Sequence, residues 1–361
     1  MNTRLAQSAL GILTGLGALA ANAATNEVVL PLETNPVAKN RLSLSYRLGL
    51  NITADFRRLG GFSPANDPGP DSGAAENRNY DNGYNRVDIT GNNHPLAPNT
   101  TWYWGYQGSS AIQGQNLVLE SVSSPANAVS KNNDDGVNHG FELSYQREFV
   151  RKEKWRGGLE AAFGFTTLSI NDSHVLHNEV SVIQDTFTLP EGVESIPGYP
   201  DGYAGTYEGP GTVIDSSLNP GQRVRSVVSS ATTITGTREL DANIYLIRLG
   251  PYAEFPITEK FAAFLSGGLS LAIGDTQFTY TETVDYNGTR AVRADSGSQL
   301  DVLVGGYIGG GLSYAFNEKW GVFAGAQFQT AGRSINKVGG KESVLDMGET
   351  VVVTVGVSRS W

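Results

Sequence analysis

The last fourteen residues, GETVVVTVGVSRSW, alternate so strictly that they leave few folds open to the rest of the chain. Val351, Val353, Val355, Val357 and Trp361 share one parity, and Thr350, Thr354, Gly356, Ser358 and Ser360 share the other, with Val352 the exception. Successive side chains of a strand point to opposite faces, so this segment is a strand with an apolar side and a small, polar side, ended by a ring. Seven earlier stretches repeat the pattern. RLSLSYRLGLNI sets Leu42, Leu44, Tyr46, Leu48, Leu50 and Ile52 against Ser43, Ser45, Arg47, Gly49 and Asn51. GFELSYQREF sets Phe141, Leu143, Tyr145 and Phe149 against Glu142, Ser144, Gln146 and Glu148. Similar alternation starts at Trp155, runs over 243–256, and is clearest from Phe261, from Leu300 and from Trp320.

Two architectures accept such strands, a β-sandwich and a closed barrel. The sandwich is the weaker fit. The apolar parities run through about 5–7 alternate positions, whereas strands of globular proteins total about 5–6 residues. The opposite parity is rich in Gly, Ser and Gln with interspersed charges, which suits a narrow packed lumen. The apolar runs are also bounded by rings: Phe149 and Trp155, Phe255 and Phe261, Phe316 and Trp320, and Trp361. Only 39% of the residues are apolar and the mean hydropathy is −0.23. Averages of this kind miss a barrel, because a membrane-spanning strand needs only ~10 residues, apolar at every second position.

Three related segments fix the orientation. REFVRKEKWRGGLEAAFGF, AEFPITEKFAAFLSGGLSL and SYAFNEKWGVFAGAQFQ each join two apolar runs through Glu-Lys and an aromatic. They read as short turns between strands two and three, four and five, and six and seven, on the same side as both termini. The connections on the other side are long, about 56–138, 171–241, 284–298 and 334–344. Short periplasmic turns opposite long outer loops are the asymmetry of an outer-membrane barrel. The expected fold is therefore all-β: a closed antiparallel up-and-down transmembrane barrel over 41–361 with eight strands. It becomes ten if TTWYWGYQ and QNLVLESV enter the wall instead of forming an extracellular hairpin.

The chain resembles the small outer-membrane β-barrels of Gram-negative bacteria, of the OmpA-transmembrane-domain or OmpX type. The resemblance rests on strand pattern, turn asymmetry, leader and terminal aromatic. It implies residence in the cell outer membrane, contact with its lipid, and delivery to the barrel-insertion machinery through the strand ending at Trp361. Arg359 interrupts the alternate apolar residues usual at the end of that strand. With no sequence after Trp361 for a peptidoglycan-binding domain, that family function is not expected.

The N-terminus supports export. MNTRLAQSALGILTGLGALAANAAT carries Arg4, a Leu/Ala/Gly-rich run and a small-x-small site at Ala21 to Ala23, the anatomy of a signal peptide over 1–23. Residues 24–40 then form a periplasmic lead-in. No cysteine occurs, so neither a disulfide nor a thiolate metal site is available. A net charge of −10 without a Lys/Arg cluster argues against nucleic acid.

Arg47, Glu142, Glu160 and Arg248 fall on the lumen parity at similar heights, with Glu254 nearer the periplasm. Unpaired charge in a narrow low-dielectric lumen costs several kcal/mol. The expectation is therefore an Arg47–Glu142 and Glu160–Arg248 network near Gln327 and Tyr307. Such a plug gives a structural or partner-recognising barrel, and the alternatives are a narrow porin-like channel and an outer-membrane enzyme. No cofactor, metal or catalytic residue is expected. His174 and His177 with Asp172 and Glu179 have a spacing common in loops, and Asp134 and Asp135 sit in a turn whose glycine is misplaced for a calcium loop. Of the four histidines, His94, His139, His174 and His177, His139 beside Asp134 and Asp135 is the best catalytic cluster, but no nucleophile motif accompanies it. Aromatics among polar residues in NTTWYWGYQ and GYPDGYAGTYEGPG suit contact with a sugar or protein, or packing of loop on loop.

Overall fold

A computed structural model describes residues 39–62, 68–69, 77–86, 100–134, 136–215, 223–286 and 289–361. The expected signal peptide, most of the lead-in, His94 and Asp135 lie outside the described residues. Eight strands form the wall: β1 (Asn40–Leu50), β2 (Asn138–Arg151), β3 (Arg156–Asp172), β4 (Arg223–Pro256), β5 (Phe261–Tyr286), β6 (Thr289–Ala315), β7 (Trp320–Thr330) and β8 (Thr350–Ser360). Every neighbour pairs antiparallel, and β1 with β8 closes the ring. Hydrogen bonds between Asn40 and Trp361, at 3.1 and 3.0 Å, zip its two ends together.

The tilt follows from the register. A row of paired residues starts at Val302 on β6 and passes through Ile273, Tyr245, Phe165, Phe141, Tyr46, Val355 and Ala324. It returns to β6 at Leu312, ten residues from where it began. A shear of ten on eight strands tilts them by roughly 40° and leaves an interior that side chains can fill.

The three Glu-Lys turns close alike, which accounts for their repeated sequence. The amides of Lys152, Thr258 and Asn317 donate to the carbonyls of Trp155, Phe261 and Trp320, at 2.8, 3.0 and 3.3 Å. In the second and third turns the Thr258 hydroxyl and Asn317 carbonyl oxygens also accept the amides of the Lys and the aromatic. The girdle rings Phe149, Trp155, Phe255, Phe261, Phe316, Trp320 and Trp361 all stand exposed on the exterior. Arg359 joins them, its guanidinium 5.6 Å from the Trp320 ring.

The segments read as loops are largely folded. β4, β5 and β6 rise beyond the wall as strands of 34, 26 and 27 residues. The stretch 284–298, expected to be a loop, is strand at its described residues, with Tyr286 pairing with Thr289. Leu176–Thr188 and Asn116–Ser123 extend this sheet beside β4. A second sheet, in the order Arg333–Val338, Lys341–Asp346, Thr53–Leu59, Ala128–Asn133, lies against it. Between the two sits an apolar core that includes Phe56, Leu59, Ile170, Val182, Leu240, Phe278 and Leu345. The aromatic stretches of the first and second connections pack together, Tyr203 pairing with Tyr106. TTWYWGYQ and QNLVLESV lie outside the wall as expected but do not pair with each other: Trp104–Gln107 pairs with Gly83–Asn85 and Gly202–Ala204.

Candidate functional site

The lumen brings the sequence-selected charges together. Arg47 Nη1 lies 3.2 Å from Glu142 Oε2, Arg248 Nη2 lies 2.5 Å from Glu142 Oε1, and Arg248 Nη1 lies 3.3 Å from Glu160 Oε1. Glu142 is therefore shared by two arginines, a link that pairing by neighbouring strands does not foresee. The Gln146 amide donates to Glu160 at 2.6 Å, and the Arg248 guanidinium lies 4.4 Å from the centre of the Tyr307 ring. Gln327 donates to Gln329, whose oxygen lies 3.5 Å from Arg47. Lower down, Arg41 reaches Glu254 at 2.6 Å, and Arg156 binds its other oxygen. The four residues of the upper network are no more than 8% exposed in their side chains. Gly164 makes the crossing feasible, because a Cβ there would stand 2.0 Å from Arg47 Nη1.

The opposite half of the lumen is built from Gly309, Gly311, Gly325, Ser266 and Ser313, with Phe264 and Phe323 meeting edge to face. A cavity of about 50 Å³ lies between the two halves, room for a few waters.

Above the network, the parity of the apolar residues switches. On β4 the outward set Tyr245, Ile247 and Leu249 gives way to the inward set Ile244, Ala242 and Leu240, while Asn243, Asp241 and Glu239 turn outward. β3 makes the same exchange between Phe165 and Leu168, and β5 between Ile273 and Phe278. Below the switch the wall is apolar outside and polar inside. Above it the polarity is that of a protein in water. A closed ring with no free edge is the strand architecture that can cross a bilayer, and this one carries its greasy side on the outside only between two rows of rings. The chain is an outer-membrane β-barrel protein.

No protein-family model matches its sequence, and no curated protein matches it. Solved structures that resemble it are themselves barrels. The attachment invasion locus protein Ail of Yersinia pestis is 11% identical, with a TM-score of 0.28 over 90% of this chain and 99% of Ail. The outer membrane protease OmpT of Escherichia coli is 8% identical, with a TM-score of 0.33 over 92% and 99%. The outer membrane protein OprG of Pseudomonas aeruginosa is 8% identical, with a TM-score of 0.29 over 90% and 97%. These are distant likenesses, and the fold of this outer-membrane barrel rests on its own closed pairing and apolar belt.

The switch in parity is the signal that finds the folded head, and it also finds charges that reading the connections as loops passes over. Arg238 and Lys341 are fully buried with Asp172 and Glu282. Arg238 binds Asp172 and Glu282 at 3.1 Å each, and Lys341 binds Glu282 at 2.7 Å, tying the two sheets together. Burial pushes the Asp172 carboxyl up, but hydrogen bonds from His174 and the Arg238 charge outweigh it and hold it below its ordinary value. Asp185 behaves likewise: Arg225 and Tyr80 donate to it, Arg223 adds its charge, and its carboxyl is depressed despite burial.

Among the described residues no group of three or more His, Asp or Glu side chains is placed to hold a metal ion. His139 faces outward, stacked on Tyr46 and in contact with its hydroxyl. His174 is exposed and bound to Asp172 at 2.5 Å, a carboxylate already engaged by Arg238.

Proposed function

We propose that this outer-membrane barrel is a closed, surface-exposed scaffold that recognises a partner through its extracellular head rather than passing solutes. The observation that carries this reading is the ion-paired lumen, because the Glu142 bridge between Arg47 and Arg248 fills the cross-section with neutralised charge. An apolar core then caps the same axis from outside. Opening a path would separate buried ion pairs, at several kcal/mol each.

The recognition surface proposed is the tip, where Tyr84, Tyr103 and Tyr207 cluster edge to face and Arg86 lies 4.6 Å over Tyr84. Rigid aromatics with a cation suit adhesion to a protein or a glycan. The reading assigns the barrel no catalytic role. Planar-bilayer recordings test it: the purified barrel is expected to show no stable conductance steps, and Glu142→Ala to show at most brief openings. Steady ohmic conductance from the unaltered protein would replace this reading with a porin-like one.

A further inference from the structure

Just above the switch line a groove runs over the outside of β2, β3 and β4. Phe141, Phe165 and Tyr245 form a row of touching rings, with centroids 5.7 and 5.1 Å apart. The next outward positions on the same strands are His139, Thr167 and Asn243, followed by Ser169 and Asp241. Small Thr167 and Ser169 in the centre leave a depression of about 410 Å³, walled by His139 and Asn138 on one side and Asp241 and Asn243 on the other. That volume lies in the range of small-molecule clefts, roughly 300–1,000 Å³.

We infer that this groove seats the sugar headgroup of an outer-leaflet glycolipid. Position names a lipid as the occupant. The ring row is the upper limit of the apolar belt on these strands, so any lipid lying against it carries its headgroup at the height of Thr167 and Asn243. Chemistry selects sugar over phosphate. The groove offers hydroxyls, amides, an imidazole and a carboxylate, with no lysine or arginine among its described lining residues. Asp275 pairs across from Asn243 and Glu239 lies further along β4, so the surroundings are negative and repel a bare phosphate. Carboxylate, amide and hydroxyl groups are the donors and acceptors that neutral sugar hydroxyls use.

The test uses the purified full-length barrel, reconstituted into vesicles holding equal parts of a neutral galactosyl diacylglycerol, phosphatidylglycerol and phosphatidylethanolamine. Native mass spectrometry then reads the lipids retained. The unaltered protein should keep the galactolipid about tenfold over its share, a preference equal to ~1.4 kcal/mol. Thr167→Trp with Ser169→Trp, both on β3, fills the groove and should abolish that excess, whereas Thr283→Trp, on β5 far up the head, should keep it. Heat-modifiable gel mobility confirms that each variant is folded. Equal retention of phospholipids, an excess unchanged in the filled variant, or an excess stripped by a chelator would each overturn the assignment, the last by pointing to phosphate held through a cation.

Discussion

Removing the Glu142 carboxylate is the perturbation to which the lumen network responds most directly. In Glu142→Ala, Arg47 and Arg248 both lose a partner while remaining at most 5% exposed in their side chains. Arg248 keeps Glu160 at 3.3 Å and Tyr307 beneath it. Arg47 keeps the Gln329 oxygen at 3.5 Å, and its Nε and Nη1 already make no hydrogen bond among the described residues. Breaking a buried pair by deleting one partner costs about 3–5 kcal/mol, so this substitution should lower barrel stability by that amount. Glu142→Gln preserves volume and one acceptor and should cost less.

Geometry also ranks the two arms of the bridge. Arg248 and Glu142 are hydrogen-bonded, whereas the Arg47–Glu142 contact is close but poorly aligned. A charge-assisted hydrogen bond contributes about 1.5–3 kcal/mol, so a double-mutant cycle on Arg248 and Glu142 should return a coupling in that range. The cycle on Arg47 and Glu142 should return about 1 kcal/mol. Equilibrium urea unfolding in lipid vesicles, followed by tryptophan fluorescence, measures both. Couplings below ~0.5 kcal/mol in both cycles would refute the shared-carboxylate network, and a larger value for the Arg47 cycle would refute the ranking.

Two further outcomes follow from the same packing and ion pairs. Gly164→Ala places a methyl where Arg47 Nη1 now lies and should destabilise the barrel by about 1–3 kcal/mol, a penalty that disappears in an Arg47→Ala background, as the same unfolding assay would read. In the head, Asp172 and Asp185 have folded-state pKa values below their unfolded ones, so the stability they contribute is present above the ordinary carboxylate value near ~3.9 and is lost as pH falls through the lower folded values. Hydrogen exchange in peptides covering Leu176–Thr188 should therefore rise in acid, after correction for intrinsic rates, and Asp172→Asn should flatten the profile. An identical profile in both proteins would count against this origin.

The wall was legible because a bilayer punishes any break in the alternation. Leu42 to Leu50, Leu300 to Phe316 and Val351 to Trp361 each show one apolar parity, since outward residues meet only hydrocarbon there, whereas Ile52, grouped with the first set by alternation, turns past Asn51 into the core of the head. The lumen charges were legible for the related reason that Arg47, Glu142, Glu160 and Arg248 interrupt the other parity with groups that must find partners. The sharing of Glu142 was not, because it depends on how far Arg248 reaches across the lumen. The head escaped notice because its sheets are half solvated. In TETVDY and TRAVRADSGS, Thr, Asp, Ser and Arg occupy outward positions at which water is as good a neighbour as protein, and polar strands of that kind look like loops.

The parity switch carries more information than its effect on a strand count. It comes at Tyr245 on β4, Phe165 on β3 and Ile273 on β5, residues paired across one continuous row. One tilted line thus separates a surface that meets lipid from one that meets water. The strands do not stop at that line, so the wall of the barrel and one layer of the head are the same hydrogen-bonded sheet. The second layer is reached from the ends of β1, β7 and β8 and is fastened to the first by Lys341 on Glu282 and by Phe56 stacked on Phe278, 5.6 Å between centroids. The aromatic tip belongs to a separate small sheet, which shares a core with this framework through Trp104, Leu117 and Phe187 and is hydrogen-bonded to it where the Asp81 amide donates to Glu120 and the Asn82 side chain to Val118. Rigidity of this kind lowers the ordering cost of binding, so a partner can be held by a small patch of rings.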